Sequence, residues 1–238
     1  MSTQDTMPPV TTAEAKSGGG VVLQHLVSGH GRKYEIIYAD PAWSYYNDMT
    51  VTPEQNKSGK GFMRKVPYPV MASDEIKRLQ VEPIAADDSV LLIWTTDYHL
   101  ERAISVINAW GFQYKTIGFA WQKTNRKGEP VCFMGAYTMK TGIELCLLAT
   151  RGKNAHKMVK KFGVRGRVES PREHHSKKPD EVRNRIVEMF GDRPRIELFA
   201  RERHDGWDAW GNDVALVTAN DTAHSQKGRE RGPDKTQD

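Results

Sequence analysis

Short apolar runs, each cut off by polar or proline-bearing residues, recur through the middle of this chain and alternate with helix-like segments. Tyr34–Ala39 (YEIIYA) stops at Asp40-Pro41, and Ser89–Thr95 (SVLLIWT) stops at Thr96-Asp97. Phe112–Trp121, Glu144–Thr150 and Arg195–Ala200 (RIELFA) extend the series. Runs that are apolar without alternation suit strands covered on both faces. Three segments between them carry the helical period. Ser73 caps a helix to about Gln80, with Asp74 and Glu75 in its favourable first turn. Asp97–Trp110 places Leu100, Ile104 and Ile107 on one face and stops at Gly111. Pro179–Phe190 opens on a proline, aligns Val182, Ile186 and Met189, and stops at Gly191. The pattern predicts an α/β domain with a mainly parallel central sheet flanked by helices. In such sheets ligands bind beyond the carboxyl ends of the strands.

The 238 residues are 38% hydrophobic, enough for a packed core over residues 21–215. Residues 1–20, with Gly18-Gly19-Gly20, and residues 216–238 are polar and read as disordered tails. Ser44–Val66 reads as a long loop. No apolar run reaches the roughly 20 residues of a membrane span, and Met1–Gly20 has no secretory apolar core, so a cytoplasmic protein is expected. Cys132 and Cys146 are too few for a disulfide framework or a four-cysteine zinc site. His156, the His174-His175 pair and His204 lack ligand spacing, so no metal is expected. No phosphate-binding G-x-x-x-x-G-K loop is present.

Charge is concentrated. Arg151–Lys178 holds ten Lys and Arg against Glu169 and Glu173, a surplus that leaves the rest of the chain net acidic. This is either a solvated surface loop or a grip for a polyanion through Lys157, Lys160, Lys161, Arg165 and Arg167. A second lysine-bearing stretch lies at Lys57–Lys65.

Asp40-Pro41-Ala42-Trp43 follows directly on the first strand. Taken alone, it is a turn with a packed tryptophan. It also has the chemistry needed at an aromatic amine, whose nitrogen is a poor nucleophile while its lone pair is delocalised into the ring. A carboxylate and a carbonyl accepting both amine hydrogens draw that nitrogen toward a reactive geometry, proline fixes the carbonyl, and an indole stacks on a flipped base.

These residues, with six further motifs in order, resemble the adenine-N6 methyltransferases of the MT-A-seventy family. D-P-A-W stands where the family has D-P-P-W. V-P-Y-P-V-M-A-S-D-E-I (66–76), Leu92–Thr96, Gly142–Leu147, Ser176–Glu181, Arg195–Arg201 and Trp207 with Trp210-Gly211-Asn212 follow in family order. Ala42 replaces the second proline and implies some loss of rigidity. The resemblance implies a Rossmann-like methyltransferase fold with permuted motif order. It implies S-adenosylmethionine as cofactor, held by Asp40, Lys178, Glu197, Phe199, Arg201 and Asn212. It implies that Asp40 and Pro41 hold the target amine while Trp43 and Tyr68 sandwich the base. Glu144 is placed to approach the base, and Trp94 reads as core.

The expected activity is methylation of adenine N6 in DNA, with double-stranded DNA as partner and a homodimer as the expected assembly. The compact core, without the appended zinc fingers of RNA-directed members, favours DNA. An RNA adenosine methyltransferase, a non-catalytic subunit and a plain nucleic-acid-binding domain are the alternatives.

Overall fold

A computed structural model describes residues 32–44, 70–132, 142–172, 177–211 and 214–217. The expected tails therefore lie outside the described residues, except that residues 216 and 217 belong to a strand. The loop expected after Ser44, over 45–66, and the lysines at 57–65 also lie outside them.

The eight strands are β1 (Tyr34–Ala39), β2 (Ala85–Thr95), β3 (Gln113–Thr124), β4 (Ile143–Arg151), β5 (Arg167–Pro171), β6 (Arg195–Leu198), β7 (Asp208–Gly211) and β8 (Val214–Val217). They form one sheet in the order β5-β3-β4-β2-β1-β6-β7-β8. β1 is central and runs parallel to both neighbours, with Ile36 opposite Val90 and Arg195. β3 and β5 are parallel to each other, as are β6 and β7. β4 opposes β2 and β3, and β8 opposes β7, so six of the eight strands share one direction. The expected α/β, Rossmann-like organisation is present, with two strands reversed.

Three α-helices cover the sheet among the described residues: α1 (Ser73–Lys77), α2 (Leu100–Ala109) and α3 (Asp180–Phe190). The period of two along β1 divides the core between them. Ile37 and Ala39 pack toward Ile76 of α1 and Val106 and Ile107 of α2. Ile36 and Tyr38 point the other way, into a cluster with Val182, Ile186 and Phe190 of α3. Each fully buried isoleucine contributes about 1.5–3 kcal/mol over an exposed one, so YEIIYA anchors both halves of the core. None of the described helices is long and apolar enough to cross a membrane.

Three expectations are corrected. Ser73 does not cap α1: the N-cap is Ala72, whose amide donates to Glu75 at 2.7 Å, and the helix ends at Lys77 rather than near Gln80. The helix expected from Asp97 begins with a 3-10 turn at Asp97–His99 and becomes α only at Leu100. The buried stripe is accordingly Ala103, Val106, Ile107 and Trp110, while Leu100 is exposed. The basic segment, read as a possible loop, contains β5. That short edge strand alternates exposed residues with a buried Val168, a pattern its charges masked in the sequence.

Candidate active site

The carboxyl ends of β1, β2 and β6 converge with the amino end of β4 on one cleft, because Thr95 of β2 pairs with Leu145 in the reversed β4. The cleft is lined by Asp40, Pro41, Ala42, Trp43, Trp94, Thr95, Thr96, Glu144, Lys178 and Arg201. Asp40 extends the line of β1, its amide donating to the Leu198 carbonyl at 3.3 Å. Lys178, just ahead of α3, reaches across the strand ends to donate to Asp40 Oδ2 at 2.8 Å. Its Nζ also lies 3.2 Å from Glu144 Oε2, and Glu144 pairs in turn with Lys123. Opposite charges thus alternate in the order Lys123, Glu144, Lys178, Asp40.

The titration of these groups follows from that order. Burial lifts the Asp40 carboxyl above its ordinary range, and Lys178 only partly offsets it. Burial would lift Glu144 too, but Lys178 and Lys123 together hold it below the usual value. Burial works against the Lys178 charge, yet its two carboxylates raise its pKa. The ammonium also sits 5.6 Å from the Trp94 ring centroid. Trp94 therefore belongs to the core, as expected, and also forms the floor of the cleft.

The Asp40–Trp43 turn is stitched on all sides. The Trp43 amide donates to the Pro41 carbonyl at 2.9 Å. The Met71 amide donates to the Ala42 carbonyl at 2.9 Å, and the Ser44 amide donates to the Met71 carbonyl at 3.0 Å. Rigidity that a second proline would supply at position 42 is provided here by Met71. The Trp43 indole donates to the Trp94 carbonyl at 3.0 Å and stacks on His99 with ring centroids 5.6 Å apart. His99 thus takes one face of the Trp43 ring, and the residue as a whole is 7% exposed.

His99 carries no mark of a site in the sequence, yet it is fully buried beneath this turn. Its Nδ1 lies 3.0 Å from Thr96 Oγ1 and its Nε2 lies 3.3 Å from the Ser44 carbonyl. Nε2 donating to the Ser44 carbonyl, with the Thr96 hydroxyl as the partner of Nδ1, satisfies both ring nitrogens. Its position just after the β2 strand end is the one available signal. Lys123 is a second site residue that sequence reasoning misses, and nothing in its local sequence marks it.

The cofactor candidates divide. Asp40, Lys178 and Arg201 line the cleft together. Phe199 ends β6 in the left-handed region at φ 63, and its ring meets Trp210 edge-on at 5.5 Å. This is a strained conformation for a bulky residue, held by its surroundings. Gly211 lies so close to this turn that a Cβ there would come within 2.0 Å of the Ala200 carbonyl oxygen. Glu197 is outside the cleft lining, and Arg183 takes both its oxygens at 2.7 and 2.9 Å. Tyr68 and Asn212 lie outside the described residues.

The basic candidates are elsewhere. The amides of Lys160 and Lys161 donate to the Met189 carbonyl, at the end of α3 remote from Lys178. Arg165 and Arg167 lie further up the same flank, their carbonyls accepting from Arg185. Lys157 belongs to a 3-10 turn that precedes them, Ala155–Met158. None of the five lines the cleft. The described residues hold no cluster of His, Cys, Asp or Glu fit for a metal.

The MT-A70 family model matches residues 34–213. The Type II methyltransferase M.MunI of a Mycoplasma species is 36% identical over 191 residues, covering 77% of this chain and 78% of that protein. A probable N(6)-adenosine-methyltransferase MT-A70-like protein of Oryza sativa subsp. japonica is 24% identical, over 76% of this chain but only 23% of its own length. The human N(6)-adenine-specific methyltransferase METTL4 is 26% identical, over 77% of this chain and 38% of its own length.

Proposed function

Since the chain belongs to the MT-A70 family, we propose that it is a methyltransferase that moves a methyl group from S-adenosylmethionine to the N6 amine of adenine in DNA. The observation that carries this reading is Asp40, a carboxylate recessed at the end of β1, with Pro41 lining the same cleft.

The cleft suits a cofactor bearing both an amino-acid moiety and a sulfonium. It sets carboxylates at Asp40 and Glu144 against cations at Lys178 and Arg201 in one half-buried space. Asp40, Lys178, Phe199, Arg201 and Asn212 would hold it, while Glu197 is committed to Arg183. When bound, S-adenosylmethionine supplies an electrophilic methyl group. Asp40 and the Pro41 carbonyl accept the two amine hydrogens and draw the nitrogen lone pair out of ring conjugation. Once methylated, with the sulfonium leaving as a neutral thioether, the amine would be strongly acidic, so its proton would pass to water without a strong base. Trp43, fixed by His99 and the Trp94 carbonyl, would stack on one face of the base, and Tyr68 would be the partner for the other.

DNA is favoured over RNA by the likeness to the Type II methyltransferase, which is the higher in identity and spans most of both chains. The test is plasmid DNA from an expressing strain that lacks its own adenine methyltransferases, digested to nucleosides. An N6-methyladenine peak that vanishes with Asp40→Ala supports the reading. The variant should lose several orders of magnitude in rate, at ~1.4 kcal/mol per decade, while staying folded. A peak confined to RNA moves the substrate to RNA, and substantial activity in folded Asp40→Ala removes the mechanism.

A further inference from the structure

Phe162 is 82% exposed, whereas no other exposed large hydrophobic residue among those described passes 46%. Its loop is held at both bases. Before it, the Lys160 and Lys161 amides donate to the Met189 carbonyl at 2.8 and 3.2 Å, and Lys161 pairs with Glu188. After it, Arg185 donates to the Arg165 and Arg167 carbonyls, and the Gly166 carbonyl accepts from Ala120 of β3. Between these clamps Gly163 takes φ +86, with nothing within 4 Å of the position its Cβ would occupy. The tip thus projects a phenyl ring from a fixed base into open space, with Lys160, Lys161, Arg165 and Arg167 around it in sequence.

We infer that this loop is a second DNA-contacting surface, in which the aromatic ring of Phe162 stacks on a base while the neighbouring cations hold phosphates. The two chemistries displayed together, a flat apolar ring and several exposed cations, are complementary to one polymer that carries flat base faces between regularly spaced phosphates. The surface is separate from the cleft. α3 rises about 1.5 Å per residue, which sets Met189 roughly 15 Å along its axis from the Lys178 end. That separation equals the length of roughly four or five base pairs at about 3.4 Å each, so a duplex touching both the cleft and the loop needs at least that many pairs on one flank. The choice of DNA as occupant rests on the function proposed above; the binding itself requires no methylation.

Binding of duplexes of roughly 8 and roughly 25 base pairs, followed by fluorescence anisotropy, tests this inference. Phe162→Ala should weaken the long duplex at least about fivefold and leave the short one unchanged. Phe162→Trp should bind as the wild type does, and Phe162→Leu should not. Single-turnover methyl transfer at saturating DNA should be the same in all. A 2-aminopurine placed in the flank should report stacking in the wild type and lose that signal in Phe162→Ala. Equal affinity of wild type and Phe162→Ala for the long duplex overturns the inference, as does rescue by leucine or absence of duplex binding altogether. An effect confined to RNA of the same length, or to self-association in sedimentation, assigns the surface to another occupant and equally overturns it. Because binding is read without chemistry, a missing N6-methyladenine peak and an unchanged duplex affinity are separate results.

Discussion

Lys178 sets how Asp40 titrates. Burial lifts the carboxyl, and the ammonium at 2.8 Å pulls it part of the way back. Only the charged carboxylate accepts fully from the amine, so activity should fall on the acid side as pH drops through this raised pKa. Lys178→Met removes the opposing charge. The acid limb of kcat, measured at saturating cofactor, should therefore move to higher pH, and a limb that stays put excludes Asp40 as the titrating group. Glu144 has the opposite sign, being held below its ordinary value by Lys178 and Lys123. Its stabilising contribution is complete above the unfolded glutamate value of about 4.3 and is lost as pH falls through the lower folded one. Glu144→Gln should lower Tm near neutrality and converge on the wild type in strong acid. Melting curves across that range check it, and a constant difference refutes the coupling.

Two elements, α3 and β6, are joined across the sheet by the buried pair Arg183–Glu197. One bears the approach to Lys178 and the other leads to Phe199 and Arg201, so the pair fixes the register between them. Breaking a buried ion pair by removing one member costs about 3–5 kcal/mol, because a charge is left without compensation. Glu197→Leu alone should lose at most that amount in denaturant unfolding, since Arg183 keeps Asp180 at 2.6 Å, and Arg183→Met with Glu197→Leu should recover most of the loss. Failure of the double variant to recover means that the pair is not the source of the loss.

This pair marks where the sequence stops being legible. The family resemblance puts Glu197 among the cofactor residues, and nothing local in RIELFA tells which face a fully covered strand gives it. The boundaries of β1 are legible because Asp40-Pro41 cuts an apolar run sharply. The direction of β4 is not, since a largely apolar run reads alike either way, and that reversal brings Glu144 to the cleft, where Lys123 of β3 pairs with it. His99 is hidden for a different reason: its role depends on stacking against Trp43, more than fifty positions away.

Over the whole molecule, the cleft and the basic flank lie at different ends of α3. Reversing Lys157, Lys160 and Lys161 to Glu should weaken DNA binding and reduce the salt slope by about one unit for each phosphate no longer neutralised, with cofactor affinity unchanged. An unaltered slope makes the flank a solvated face. The position of β1 bears on synthesis. Its pairing of Ile36 with Arg195 closes the centre of the sheet between distant parts of the chain. A nascent polypeptide releases β1 well before β6, so the strand has no neighbour on that side until Arg195–Leu198 has emerged. Such non-local closure is slow, and interrupted products that stop before Arg195 expose one edge of YEIIYA. They should be inert toward nucleic acid chemistry and prone to aggregation or proteolysis, so the sheet closes only in chains translated past Leu198.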